Sequence, residues 1–233
     1  MFCFLHFFFA EGHKSAVRVY VRKKNERYTH LSCFTTECQQ PKGICVFAHK
    51  VYICEPEQRQ VTEYSISQNF TGKVLRKYNE PDVLMEPMYV AAQVINESMI
   101  LIISDRQMGL KRLVIGEDSG ASKFPPWAVS KEYFSPSKCF TTKRSGKSEV
   151  LVGNSSGQRI NLIDFESRQV NHREYSLKDE CFGPVAVAIN INDQLVVACK
   201  DGTIVLYKMN EATKVAESPI QEESEEHLYE LAS

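Results

Sequence analysis

Eight cysteines and six histidines are the residues best suited to chemistry, and their spacing assembles no reaction centre. Cys33 and Cys38 are spaced C-x4-C, but no second Cys or Cys-His pair follows at the interval a structural zinc site needs. The histidines stand at 6, 13, 30, 49, 172 and 227 and recur at no fixed interval. Ligands on successive units of a repeat would do so. A zinc-protease helix needs H-E-x-x-H to put two imidazoles on one face, and a phosphate loop needs its glycines before Lys; neither occurs. Nor do we expect a G-x-S-x-G nucleophile motif. We therefore expect no enzyme, no metal and no cofactor, with a metal-dependent hydrolase or lyase as the remote alternative.

The cysteines read better as packing residues. Cys45, Cys54 and Cys199 sit within the apolar runs ICVF, VYIC and VVAC, where a thiol behaves as a small buried hydrophobe. Reduced core thiols point to the cytoplasm. The opening MFCFLHFFFA lacks a basic residue before its apolar stretch and a small-x-small cleavage site, so it reads as a strand rather than a weak signal peptide. No apolar run approaches the roughly 18 residues a membrane helix needs, so no membrane partner is expected. Formal net charge is −1, which makes no global case for a polyanionic partner.

What could position a site is an internal repeat. Phe7-Phe8-Phe9-Ala10-Glu11, Val51-Tyr52-Ile53-Cys54-Glu55, Leu101-Ile102-Ile103-Ser104-Asp105, Val150-Leu151-Val152-Gly153-Asn154 and Leu195-Val196-Val197-Ala198 are each followed, after a polar loop, by a second strand-like run. The small residues 10, 54, 104, 153 and 198 lie 44, 50, 49 and 45 apart, the period of a four-stranded propeller blade. A Pro-led run precedes the later copies, as in Pro41-Lys42-Gly43-Ile44-Cys45-Val46 and Pro184-Val185-Ala186-Val187. Pro has no N–H to give a ladder, so it suits the position just outside an innermost strand. The fold expected is all-β: a β-propeller of about five blade units. The first unit has only six residues before Phe7, too few for an innermost strand. We therefore expect an incomplete ring, part of a six-bladed one.

Residues 41–64, PKGICV through VYICEPEQRQVTEY, resemble an NHL repeat: Pro-x-Gly, an apolar strand, Tyr-φ-Cys-acid, then Arg59 before the next strand. The second unit matches well, the first and fifth in part, while the third and fourth lack the Gly and the Tyr. The resemblance spans residues 7–210. It implies a propeller similar to the NHL domains of tripartite-motif ubiquitin ligases, where the propeller selects the target. The RING array, B-box and coiled coil of those ligases are absent from this sequence. Expected domains are an NHL-like propeller over 1–210 and an acidic, disordered tail over 211–233, where seven Glu face one Lys.

In such a blade the loops after the second strand share one face of the ring. That face is the expected binding surface, carrying Lys14, Arg59, Asp105, Arg106, Asn154, Lys200 and Asp201. Its mixed charge suits a protein partner. Single-stranded RNA is the alternative, through Arg22-Lys23-Lys24, Lys73-Arg76-Lys77 or Lys143-Arg144-Lys147, although these basic clusters fall away from the loop face. Trp127 is expected to pack over its own blade rather than anchor a partner.

Overall fold

Runs of alternating apolar and β-branched residues become antiparallel meanders throughout the chain. The computed structural model describes residues 5–11, 14–22, 28–37, 40–67, 72–116, 136–144, 147–154, 159–164, 172–176, 183–190, 192, 194–208 and 214–215. The first meander is β1 (Leu5–Glu11), β2 (Ala16–Arg22) and β3 (Thr29–Thr35). The second is complete: β4 (Ile44–Phe47), β5 (Lys50–Glu55), β6 (Gln60–Ile66) and β7 (Gly72–Tyr78). The third comprises β8 (Pro87–Ile95), β9 (Ser98–Asp105) and β10 (Gly109–Ile115). The fourth comprises β11 (Pro136–Arg144), β12 (Lys147–Asn154), β13 (Arg159–Asp164) and β14 (His172–Ser176). The fifth comprises β15 (Pro184–Ile189), β16 (Gln194–Cys199) and β17 (Ile204–Lys208).

The innermost strands β4, β8, β11 and β15 adjoin in succession, and Lys138 of β11 pairs in parallel with Ala186 of β15. This is the succession of a β-propeller. Each expected strand is present, and β1 occupies the place of β5, β9, β12 and β16. Among the described residues the first meander has three strands, β1-β2-β3. The turns from innermost to second strand are tight. Ala48-His49 and Asn96-Glu97 each hold two consecutive residues at positive φ, the geometry of a type I′ hairpin turn.

The core lies between blades. Val17, Phe34, Val51, Ile53 and Tyr64 join the first two. Tyr52, Cys54, Val61, Leu101, Ile103 and Leu113 join the second and third. Ile100, Ile102, Leu110, Val150, Val152 and Ile163 join the third and fourth. Leu151, Ile160, Leu162, Leu195 and Val197 join the fourth and fifth. Neighbouring residues of one strand thus serve opposite interfaces, which is why the second strands read as unbroken apolar runs. Each such side chain contributes about 1.5–3 kcal/mol by its burial. Gly43 marks a close backbone approach of the second blade to the third: its N–H reaches the Met88 carbonyl at 2.8 Å, and a Cβ there would lie 2.5 Å from that oxygen.

Two expectations need correction. Cys33, Cys45, Cys54 and Cys139 are free thiols, but Cys199 is disulfide-bonded, its partner lying outside the described residues. Cys199 ends β16 rather than standing mid-strand, where the Lys200 N–H bonds the Gly183 carbonyl at 3.1 Å and draws two segments together. Within the segment expected to be unstructured, Lys214–Val215 pair with Glu174 and Tyr175 of β14. The rest of that segment, and Trp127, lie outside the described residues.

Candidate functional site: the loop face

The turn between second and third strands is built around the last residue of the second strand, an acid or amide in four of five blades. Glu55 is fully buried: one carboxylate oxygen accepts Gln60 Nε2 at 2.6 Å and Thr62 Oγ1 at 2.5 Å, the other the Tyr64 hydroxyl at 3.2 Å. Asp105 is also fully buried and accepts four backbone N–H groups. Gln107 and Met108 donate to Oδ1 at 2.9 and 2.8 Å, and Met85 and Glu86 donate to Oδ2 at 2.8 and 2.9 Å. Asn154, at the same register, is buried as well. In the first blade Glu11 accepts Arg18 Nε at 2.7 Å and meets Lys14 Nζ at 3.7 Å, and Arg18 holds its carboxyl below the ordinary range.

Of the expected contact residues, Asp105 is therefore taken up by the backbone around it, and Asn154 is buried. A carboxylate that satisfies four backbone donors has no lone pair to spare for a partner. The remaining expected residues do lie at the surface. Lys14 and Arg106 have side chains 62% and 69% exposed, and Arg59, Lys200 and Asp201 are exposed too. Arg59 holds the positive-φ end of a 3-10 turn, Pro56–Gln58, and its Nη1 lies 3.9 Å from Met85 Sδ. Arg106 Nη1 pairs with Glu86 at 3.2 Å. Asp201 turns back to accept the Thr203 N–H at 3.0 Å, and that bond lowers its carboxyl below the ordinary range. Neither Arg59 nor Lys200 has an acid within ion-pair distance among the described residues.

The sequence reading missed the second set of segments on this face, those entering each innermost strand. Gln58 Nε2 donates to the Glu37 carbonyl at 3.3 Å, the Arg106 N–H bonds the Glu86 carbonyl at 2.9 Å, and Lys77 pairs with the Glu37 carboxylate. Glu37, Met85 and Glu86 thus lie beside the expected contacts. The Pro-led runs at 41 and 87 signal them, because a residue entering an innermost strand emerges at the same end as the turn after the second strand. The basic stretch Lys73-Arg76-Lys77 belongs to β7, where Lys77 is paired and Arg76 lies 5.9 Å from the Tyr78 ring centroid.

The expectation that the sequence holds no G-x-S-x-G motif is wrong. Gly153-Asn154-Ser155-Ser156-Gly157 spells G-x-S-x-G. A nucleophile elbow needs a strand-to-helix turn, whereas Asn154 ends β12 and pairs with Arg159 of the antiparallel strand β13; Ser155–Gly157 lie outside the described residues. Among the described residues no group of three or more His, Cys, Asp or Glu is arranged to hold a metal ion. No helix among them is long and apolar enough to cross a membrane.

No family model matches the chain. No curated protein sequence matches it either. Solved structures do. A candidate 6-phosphogluconolactonase from Bacteroides uniformis is 13% identical with a TM-score of 0.59, over 94% of this chain and 81% of that one. A chain of the nidogen/laminin complex is 9% identical with a TM-score of 0.59, over 87% and 75%. The structure of BBS1N in complex with ARL6DN contains a chain 10% identical, with a TM-score of 0.54, over 92% and 61%. At such identities the likeness concerns the fold alone, and with the meander topology it makes this chain an all-β protein of the β-propeller type.

Proposed function

We propose that this propeller is a non-catalytic scaffold that binds a protein through its loop face. The observation carrying this reading is the division of labour on the turns of the second and third blades. Buried Glu55 ties together the side chains of its turn and buried Asp105 the backbone of its own, while the basic residues Lys14, Arg59, Arg106 and Lys200 stand out from the face. Pre-ordered turns lower the entropy lost on binding, which favours recognition. Neighbouring Glu37, Glu86 and Asp201 make the surface mixed in charge, as suits a polypeptide partner. Two of the similar folds come from complexes, nidogen with laminin and BBS1N with ARL6DN, which supports the class without naming a partner. The NHL pattern of residues 41–64 extends the proposal to target selection in a ubiquitin-ligase-like setting, with the cytoplasm as its compartment.

RNA binding is the second reading, favoured by the exposed cations. Against it, the described loops of this face carry no aromatic residue, and single-strand binding relies on base stacking as well as charge. A gel-shift titration with single-stranded RNA at two salt concentrations separates the readings: steeply salt-dependent binding favours RNA, and no shift at low salt removes it.

A further inference from the structure

At the end opposite the loop face, where the turns from innermost to second strand lie, the second and third blades part around a cavity of about 310 Å³. Phe47, beside the turn joining β4 to β5, forms an apolar part of one wall, and Val94, Met99 and Ile115 of the third blade form the other. Val94 is 50% exposed, so this apolar lining reaches the solvent. The volume suits a small molecule, and so does a lining that is mainly apolar with a few polar groups.

The polar groups come chiefly from three neighbouring strands of the second blade. Lys50 Nζ pairs with Glu63 Oε1 at 2.7 Å, and the other Glu63 oxygen accepts the Tyr78 hydroxyl. Glu63, its side chain only 4% exposed, is thereby engaged at both oxygens. Arg76, opposite Glu63 in the register of β6 and β7, lines the same cavity. Its guanidinium lies 5.9 Å from the Tyr78 ring centroid, and among the described residues no acid is within ion-pair distance of it. A guanidinium held over a ring keeps its N–H edge for a carboxylate. The repeat does not require this charged layer. Two residues before the small residues Cys54 and Gly153, Tyr52 pairs with Glu63 and Leu151 with Leu162. Leu162 is buried, so an apolar side chain fits that place, and a buried ion pair adds little stability over one. Such departures from a repeat's pattern concentrate at functional sites.

We infer that this cavity binds a small monocarboxylate with an aromatic or branched apolar body, its carboxylate on Arg76 and its body against Phe47, Val94, Met99 and Ile115. One negative charge matches the one cation of the lining that has no counter-ion. Glu63 on the same wall and Glu97 on the third-blade side disfavour a doubly charged head such as a phosphate. The site lies at the far end of the blades from the loop face and is independent of what that face binds.

Titration of naphthylacetate into the natural chain, labelled at its methionine methyl carbons and followed by NMR, tests this, with naphthylacetamide and naphthyl phosphate as comparisons. The acid is expected to bind saturably and to shift the Met99 methyl signal, identified with Met99→Leu. The amide lacks the charge and the phosphate carries too much, so each is expected to bind about tenfold more weakly or worse. The acid should lose a similar factor on Arg76→Gln, whose fold circular dichroism checks. No saturation by the acid up to about 10 mM overturns the inference, as does a Met99 signal that stays in place. Amide or phosphate binding as tight as that of the acid overturns it on the natural chain alone. So does a natively folded Arg76→Gln protein that binds the acid as well as the natural chain does.

Discussion

Asp105 takes the backbone N–H of Met85 at 2.8 Å, although twenty residues separate them, and so fastens the turn after β9 to the segment that enters the same blade. One side chain thereby sets the height of Arg106 and Glu86, which pair across that junction. A buried acid thus shapes this part of the loop face, with exposed Arg106 beside it.

Replacing this anchor should cost stability rather than only binding. Asp105→Ala leaves four backbone donors in a buried site without an acceptor, and about 3 kcal/mol of folding free energy should be lost. Urea unfolding measures it directly. A loss below about 0.5 kcal/mol would return Asp105 to the list of contact residues.

Gly43→Ala tests the packing of the second blade on the third. The added methyl would sit 2.5 Å from both the Met88 carbonyl oxygen and the Tyr89 Cα, and backbone cannot rotate away as a side chain can. A loss of about 1–3 kcal/mol is expected, with a lower thermal midpoint. An unchanged midpoint would mean that the two blades do not approach as closely as described.

The fold was legible in the sequence where burial acts on both faces of a strand. Residues 101–104 read as part of a strand and are, because Leu101 and Ile103 serve the interface with the second blade while Ile100 and Ile102 serve that with the fourth. The strands β3 and β14 escaped notice. In Thr29–Thr35 only Phe34 is buried, and His172–Ser176 holds its place through backbone pairing with β13, which leaves little apolar pattern to read. Among the site residues, Arg59, Arg106 and Lys200 are where the repeat implies. Asp105 and Asn154 look identical to loop residues in one dimension. Asp105 is buried by donors from Met85 and Glu86, a contact that only the folded topology supplies.

Buried phenols and thiols predict an alkaline limit. Desolvation, then the Glu63 carboxylate, raises the hydroxyls of Tyr52 and Tyr78; desolvation, then Glu55, raises that of Tyr64. Desolvation also raises Cys45 to about 11 and Cys139 to about 12. Each group loses its proton more readily when unfolded, at about 8.5 for a thiol and about 10 for a phenol. The stabilisation is therefore complete below about pH 8.5 and is lost as pH rises through the folded values. The urea midpoint should stay level from pH 7 to 8.5 and fall steadily by pH 11. A midpoint that rises over that upper range would contradict this assignment.

The same burial orders the free thiols by reactivity. Cys33 is exposed, while Cys54 and Cys139 are buried and Cys45 is held mostly protonated. At pH 8 the Cys45 thiolate fraction is about one part in a thousand. Alkylation followed by peptide mapping should label Cys33 within minutes and the other three only after denaturation. Equal labelling rates under native conditions would mean that the inter-blade cores are open.

The central claim is recognition of a protein through the loop face, and a matched pair of variants tests it most directly. One carries Arg59→Glu, Arg106→Glu and Lys200→Glu on that face. The other carries Lys50→Glu and Lys111→Glu, away from those turns, and both are checked for native circular dichroism. Quantitative affinity capture from cells, with the natural chain as reference, should show a set of proteins lost by the first variant and kept by the second. Retention of every captured protein by the loop-face variant, or equal losses from both, would contradict the account.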